Sequence, residues 1–352
     1  MKLKIIINYI IFIIITIIIA LLVSQLIYRD TNYYEANLLE TIYTMKPNSV
    51  DVLVVGPSTT ETGWNPFVAW NEYGITSLNY SFSYLPAPII KNLITEVLKT
   101  QKPKVILINV DSLLFDNLNN DKSRKFFFYH IFPQLPFSLN KFYMLAKLTK
   151  YYKLDFKTFI YSAFPVIALR HIALNDIKTD NLTLSYLRAA YFRKNSSLAF
   201  IRAGKIKTYQ VEKPAPKEYV EELLELCKTS DIPIIFISVP AAILFTKPYI
   251  TVDVKKRYDM FFSILQKRQI NFIHANQFPT VRDLKLTDAD SFDEDHLNFW
   301  GSKKYTSYVA GILVKNFNLQ NKKDNPEYSF WNDAAKEYVK DVKENFDVDI
   351  SL

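Results

Sequence analysis

Glycine is scarce in this chain, with six in 352 residues. None stands in a Gly-x-x-x-x-Gly-Lys or Gly-x-Gly-x-x-Gly arrangement, so the loops whose backbone N–H groups cradle nucleotide phosphates are missing and no cofactor is expected. Cysteine is scarcer still. The single Cys227 excludes an intramolecular disulfide, and its place after Leu223-Leu224-Glu225-Leu226 predicts a buried helical position. The four histidines, His130, His171, His274 and His296, lie far apart and form no His-x-x-x-His or Cys/His set, so no metal site is expected. Acidic residues also trail basic ones, 35 against 43, for a net charge of +8. What the chain has in quantity is apolar and aromatic side chains, 49% and 15%, which excludes a disordered polymer.

The longest apolar run comes first. Ile5 to Ile27 is almost wholly hydrophobic, and 23 residues at ~1.5 Å each reach about 34 Å, enough to cross a hydrocarbon core. The run is longer than the apolar part of a secretory signal, and Val23-Ser24-Gln25 offers no Ala-x-Ala cleavage site, so a retained transmembrane helix is expected. Lys2 and Lys4 precede it. The positive-inside rule then puts the amino terminus in the cytoplasm and everything after Tyr28 outside, with Arg29 weakening the asymmetry slightly. No cysteine follows the segment as a lipid attachment point. Nucleic acid is not an expected partner in that compartment, whereas the basic balance suits anionic lipid or polymer.

Beyond the anchor, strand and helix patterns alternate. Strands are expected at Asp51–Val55, Thr76–Tyr80, Lys104–Val110, Ile232–Val239 and Asn271–His274. Helices are expected at Ala87–Thr100, Lys217–Thr229, Val254–Arg268 and Ser302–Asn316. Strands written as continuous apolar runs between helices belong to a parallel sheet covered on both faces. Such sheets carry their sites at the carboxyl ends of strands.

Two motifs fall at that rim. Ser58 in Gly56-Pro57-Ser58 directly follows Val52-Leu53-Val54-Val55, and Asp293-Glu294-Asp295-His296-Leu297-Asn298 with Gly301 follows the last strand. A serine hydroxyl is a poor nucleophile at neutral pH. A histidine with a pKa near 6.5 can take its proton while a carboxylate holds the correct tautomer, and three-residue spacing lets Asp293 reach one nitrogen of His296 in a tight turn. Ser58, His296 and Asp293 are the candidate catalytic residues. Asp288, Asp290 and Asp295 are alternative orienting groups, or a weak cation site.

These blocks resemble the SGNH (GDSL-like) hydrolases, and within them the membrane-anchored branch of DltD-like and alginate O-acetylation proteins. Gly56-Pro57-Ser58 with Asn65-Pro66 is similar to the opening block. Ser77-Leu78-Asn79-Tyr80-Ser81 is similar to the second, Lys102-Pro103-Lys104-Val105-Ile106-Leu107-Ile108 to the strand before the third, and Asp293-x-x-His296-Leu297-Asn298-x-x-Gly301 to the closing block. The resemblance covers roughly residues 50–115 and 230–315. It implies a flavodoxin-like three-layer α/β sandwich with a parallel sheet, the SGNH hydrolase fold. It also implies an oxyanion hole built from the backbone N–H of Ser58, a second-block N–H and an asparagine side chain. Ser81 stands where the family has glycine, so a required positive φ there would be costly. Asn109 is the first candidate for the side-chain donor and Asn79 the second, with simple loop capping the alternative for each.

The chain therefore divides into a cytoplasmic start and anchor (1–29), a tether (30–50), the first part of the SGNH-like domain (51–116), a helical insertion (117–214), the second part (215–317) and an amphipathic tail (318–352). The insertion carries the aromatic and basic clusters Lys125-Phe126-Phe127-Phe128-Tyr129-His130, Lys150-Tyr151-Tyr152-Lys153 and Tyr191-Phe192-Arg193-Lys194. It reads as a subdomain with its own aromatic core, a lid, a glycan-stacking surface or a face against the bilayer or a membrane partner. The expected function is acyl transfer or ester hydrolysis, most simply of acetyl groups, on an extracytoplasmic envelope glycan or polymer. The resemblance implies a membrane-bound O-acyltransferase as partner. Two other functions stay open: a non-catalytic envelope scaffold with a degenerate site, and a lipid esterase.

Overall fold

The computed structural model describes residues 2–27, 42–43, 45–116, 118–135, 138–164, 213–241, 252–291, 293, 295–346 and 349–352. The expectations for His171, the cluster Tyr191–Lys194 and most of the tether lie outside the described residues. The chain opens with the 26-residue helix α1 (Lys2–Ile27). Its described side chains, Lys4 and those of residues 6–20, are all exposed. Among the described residues no helix is long and apolar enough to cross a membrane.

The sheet begins with β1 (Val52–Val55), followed by the short helix α2 (Ser58–Gly63), α3 (Pro66–Tyr73) and β2 (Ser77–Asn79). Then come α4 (Ile90–Val97), β3 (Val105–Asn109), α5 (Asp111–Leu114), α6 (Asp121–Phe126), α7 (Leu139–Tyr152) and α8 (Phe156–Ala163). After α9 (Lys217–Thr229), the described elements are β4 (Ile234–Ser238), α10 (Val252–Lys267), β5 (Phe272–His274), α11 (Phe278–Asp283), α12 (Phe299–Asn316) and α13 (Ser329–Phe346). All five strands are parallel, in the order β2-β1-β3-β4-β5. This is the flavodoxin-like doubly wound order, in which the chain reverses direction across the sheet beside β1 and β3.

Strand side chains alternate between two cores, and the alternation explains why both faces are covered. Leu53, Val55, Ile106, Ile108 and Phe236 point into one, with α4, α7, α9 and α10 above them. Val52, Val54, Val105, Leu107, Ile235 and Ile237 point into the other, against Tyr305, Val309, Ala310 and Leu313 of α12. The described part of the insertion is helical, and its aromatic residues Phe127, Phe128 and Phe132 are fully buried in the first core.

Several elements depart from their expected bounds for local reasons. Helix α12 starts three residues earlier than its periodicity predicts because the Asn298 side chain accepts from the N–H groups of Trp300 and Gly301. Asn65-Pro66 opens α3, a helix absent from the sequence reading, with Asn65 capping Phe67 and Val68 and the proline at the first turn. The tail helix α13 packs on α3: Phe67 stacks on Tyr338 at 4.6 Å and Trp70 on Trp331 at 5.7 Å between ring centres.

Candidate active site

Ser58 is the first residue of α2, just past the carboxyl end of β1. The turn delivering it is tight. A Cβ on Gly56 would lie 2.0 Å from Thr60 Oγ1 and 2.7 Å from the Asn109 Cβ, so only glycine lets β1 run this close to β3 before turning. The far end of α2 is closed by Asn79, whose amide donates to the carbonyls of Thr60, Glu61 and Trp64. Those carbonyls have few other partners at a helix end.

The other half of the site is a narrow loop closed at its base. Ser291 bridges antiparallel to Leu297, the Asn298 N–H bonds the Asp290 carbonyl, and the Asn298 side chain donates to Ala289 and Ser291 carbonyls. Gly301 is required here too, since a Cβ would sit 2.1 Å from the Asp290 carbonyl oxygen. Inside the loop, Asp293 Oδ1 accepts from the N–H groups of Asp295 at 2.9 Å and His296 at 2.8 Å. This turn folds the carboxylate back onto the ring three residues on.

Across 238 residues of sequence the two halves meet. His296 Nε2 lies 2.8 Å from Ser58 Oγ, and His296 Nδ1 lies 2.8 and 2.9 Å from the two oxygens of Asp293. With the Nδ1 proton on the aspartate side, Nε2 is left to accept the serine proton. Burial would lower the affinity of His296 for a proton, but the Asp293 hydrogen bond and the charges of Asp293, Asp295 and Asp111 outweigh it and hold the imidazole above its ordinary value. Burial likewise would raise Asp293, and the His296 contact with the two backbone donors outweighs it, holding the carboxyl below the usual range.

The candidate oxyanion groups sit around this pair differently. Ser81 follows β2, between Tyr80 and Phe82, whose N–H groups bond Val54 and Gly56 carbonyls. It has no positive φ, so serine carries no backbone strain in place of glycine. Its own N–H has no partner among the described residues. Asn109 ends β3 with its amide nitrogen 2.7 Å from Thr60 Oγ1, 3.0 Å from Thr59 Oγ1 and 3.2 Å from Asp111 Oδ2, and it is fully buried. Both asparagine candidates thus spend their amide protons on neighbouring protein oxygens. Asp290, offered as an alternative orienting group, bonds Thr287 and pairs with Lys304. Asp295 lies close enough to add to the charge His296 feels. Among the described residues no group of three or more His, Cys, Asp or Glu could hold a metal ion.

His274 is buried at the end of β5, bonded to Ser238 Oγ at 3.0 Å and stacked on Phe262 at 4.0 Å. Burial pulls its pKa down to about 4. His130 packs against Phe126. Sequence reasoning overlooked Asp111 and Tyr258. Asp111 lies two residues past Asn109, and Tyr258 reaches it from α10, a pairing that no sequence spacing announces. No known family model and no curated protein matches this chain.

Proposed function

We propose that the chain is a membrane-anchored SGNH-like acyltransferase or esterase that works on an extracytoplasmic envelope glycan or polymer through an acyl-enzyme. The observation that carries the reading is the 2.8 Å approach of Ser58 Oγ to His296 Nε2, with Asp293 on the other ring nitrogen. In this mechanism Ser58 Oγ attacks the acyl carbonyl carbon and its proton passes to His296 Nε2. The carbonyl becomes an oxyanion beside the backbone N–H groups of Ser58 and Ser81. When the tetrahedral species collapses, the C–O bond to the donor breaks and the departing oxygen takes the proton from His296. An acceptor hydroxyl, or water in hydrolysis, then attacks the Ser58 ester, gives its proton to His296, and Ser58 Oγ takes it back as it leaves.

The SGNH variant of the flavodoxin-like order, the anchor at Ile5 to Ile27 in a bacterial inner membrane, and a polytopic acyltransferase partner belong to the same proposal. They are supported by the motif resemblance and by the apolar composition of α1. One observation favours the non-catalytic scaffold: the amide protons of Asn109 and Asn79 are engaged within the protein, which leaves the side-chain donor unassigned. Labelling of the full-length protein with a fluorophosphonate separates the two readings. A Ser58 adduct lost in His296→Ala supports catalysis, and absence of any adduct supports the scaffold. Mass analysis of envelope glycans from deletion and complemented cells then tells transfer from hydrolysis: acyl content falls on deletion of a transferase, rises on deletion of an esterase, and is unchanged for a scaffold.

A further inference from the structure

Behind the Ser58–His296 pair lies a buried carboxylate that the mechanism above does not use. Asp111, 6% exposed, opens α5 just after β3. Its Oδ2 accepts from Thr59 Oγ1 at 2.5 Å and Asn109 Nδ2 at 3.2 Å, and its Oδ1 from the Tyr258 hydroxyl at 2.6 Å. Its backbone N–H donates to Asn109 Oδ1 at 3.0 Å, which fixes the amide nitrogen of Asn109 towards Thr59 and Thr60. Three side-chain donors converge on one carboxyl group. Asn109 can only donate here, and the hydroxyls of Thr59 and Tyr258 at these short distances suit donation to an ionised carboxyl; burial raises the Asp111 carboxyl above its ordinary value, and these three hydrogen bonds and the charge of His296 pull it back down. The short contact to Thr59 is of the charge-assisted kind, and Thr59 is the residue next to the nucleophile.

We propose that Asp111 is a positioning residue for the nucleophile, holding the turn that carries Ser58 through the Thr59 hydroxyl and anchored from the other side by Tyr258. The inference rests on the acyl-transfer reading of the site. The three elements that meet at Asp111 are the start of α2, the end of β3 and the middle of α10, so the carboxylate ties the serine turn to the sheet and to the helix layer above it. Its charge also reaches the base. His296 faces Asp293 and Asp295 in its own loop and Asp111 from the sheet, and each favours the imidazolium formed when Ser58 is deprotonated. Asp111 in turn faces Thr59, Asn109, Tyr258 and His296, with Tyr305 of α12 near enough to feel its charge.

The test measures the rate of Ser58 labelling by a fluorophosphonate against pH in the full-length protein, with melting temperature as a check on folding. Asp111→Asn should lower the plateau rate by roughly 10–100-fold through misplacement of Ser58 and move the acidic limb to lower pH, because one of the charges that stabilise protonated His296 is gone. Thr59→Val should lower the plateau and leave the limb where it is, since it removes the hydroxyl and no charge. Tyr258→Phe should lower the plateau less than Asp111→Asn. A folded Asp111→Asn variant with wild-type plateau and limb overturns the inference, as does a Thr59→Val variant that labels at the wild-type rate. Should Asp111→Asn fail to fold, Thr59→Val and Tyr258→Phe decide by the same readings. If the wild type labels no better than Ser58→Ala, the acyl-transfer reading falls and this inference with it. If the wild type labels at Ser58 and the three variants follow it, only the positioning role falls.

Discussion

Replacing Asp293 by asparagine probes the site with almost no change in shape. The oxygen that accepts from the N–H groups of Asp295 and His296, at 2.9 and 2.8 Å, can only be an acceptor, so the carbonyl of an asparagine must occupy it. Its amide nitrogen then takes the place of Oδ2, 2.9 Å from His296 Nδ1. A donor at that point competes for Nδ1 with the carbonyl oxygen 2.8 Å away; wherever the amide donates to Nδ1, the ring proton moves to Nε2 and no lone pair is left for the Ser58 proton. The two backbone donors prevent the amide from flipping to escape this. By analogy with the aspartate-to-asparagine change in serine proteases, the rate of acyl transfer from an activated ester should fall by up to ~10⁴, equivalent to about 5.5 kcal/mol of transition-state stabilisation. Melting temperature should change little, because the turn keeps its hydrogen bonds. The pH profile carries a second signature. In the wild type, kcat/KM needs neutral His296, whose pKa Asp293 helps to raise, so activity is lost as pH falls through a value above the ordinary histidine range. The residual activity of Asp293→Asn should have its acidic limb at lower pH. A folded variant that keeps more than about a tenth of the wild-type rate would refute the argument and pass the orienting role to Asp295.

Three other changes test parts of the site. Ser81→Ala should leave labelling unchanged and hold or raise the melting temperature, because the Ser81 hydroxyl is buried without a partner among the described residues; Ser81→Pro, which removes the N–H, should cost roughly 10²–10³ in rate, and equal rates for the two would remove Ser81 from the oxyanion hole. Gly301→Ala must displace the Asp290 carbonyl that its Cβ would meet, so it should lower both melting temperature and labelling rate, and a silent result would mean that the closing loop is not held as described. Glu61 is buried, its Oε2 has no partner among the described residues, and burial holds its carboxyl well above the ordinary carboxylate value. Its contribution is therefore fully present below about 4.5 and is lost as pH rises towards the folded value. Glu61→Gln should be more stable than wild type at neutral pH, with the gap closing as pH falls towards 4.5; a gap independent of pH would contradict the buried neutral acid.

The sequence made some of this legible because the signals were local. Asp293 and His296 are three residues apart, and the turn that joins them uses only its own backbone donors. Asp51–Val55 and Lys104–Val110 read as strands because the apolar runs within them, Val52-Leu53-Val54-Val55 and Val105-Ile106-Leu107-Ile108, fit a sheet covered on both faces. Asn65-Pro66 was a different case. It read as part of the resemblance, and the structure gives it a plain task as helix cap and first-turn proline, with Tyr338 as a further partner. The concern over Ser81 also dissolved, since the backbone there keeps an ordinary φ.

What the sequence by itself determined were the layers and the chemistry on offer: an alternating α/β chain, a serine after the first strand and an Asp-x-x-His turn after the last. Periodicity and short-range hydrogen bonding are properties of neighbouring residues, so they are written in order along the chain. Only the tertiary structure decided that Ser58 and His296 come within 2.8 Å across 238 residues, that Asn109 turns its amide to Thr59, Thr60 and Asp111, and that Tyr258 comes down from α10 onto Asp111. These contacts depend on the strand order β2-β1-β3-β4-β5 and on helices crossing above it. That order is a choice among packings with the same local pattern, made by the burial of both sheet faces at once.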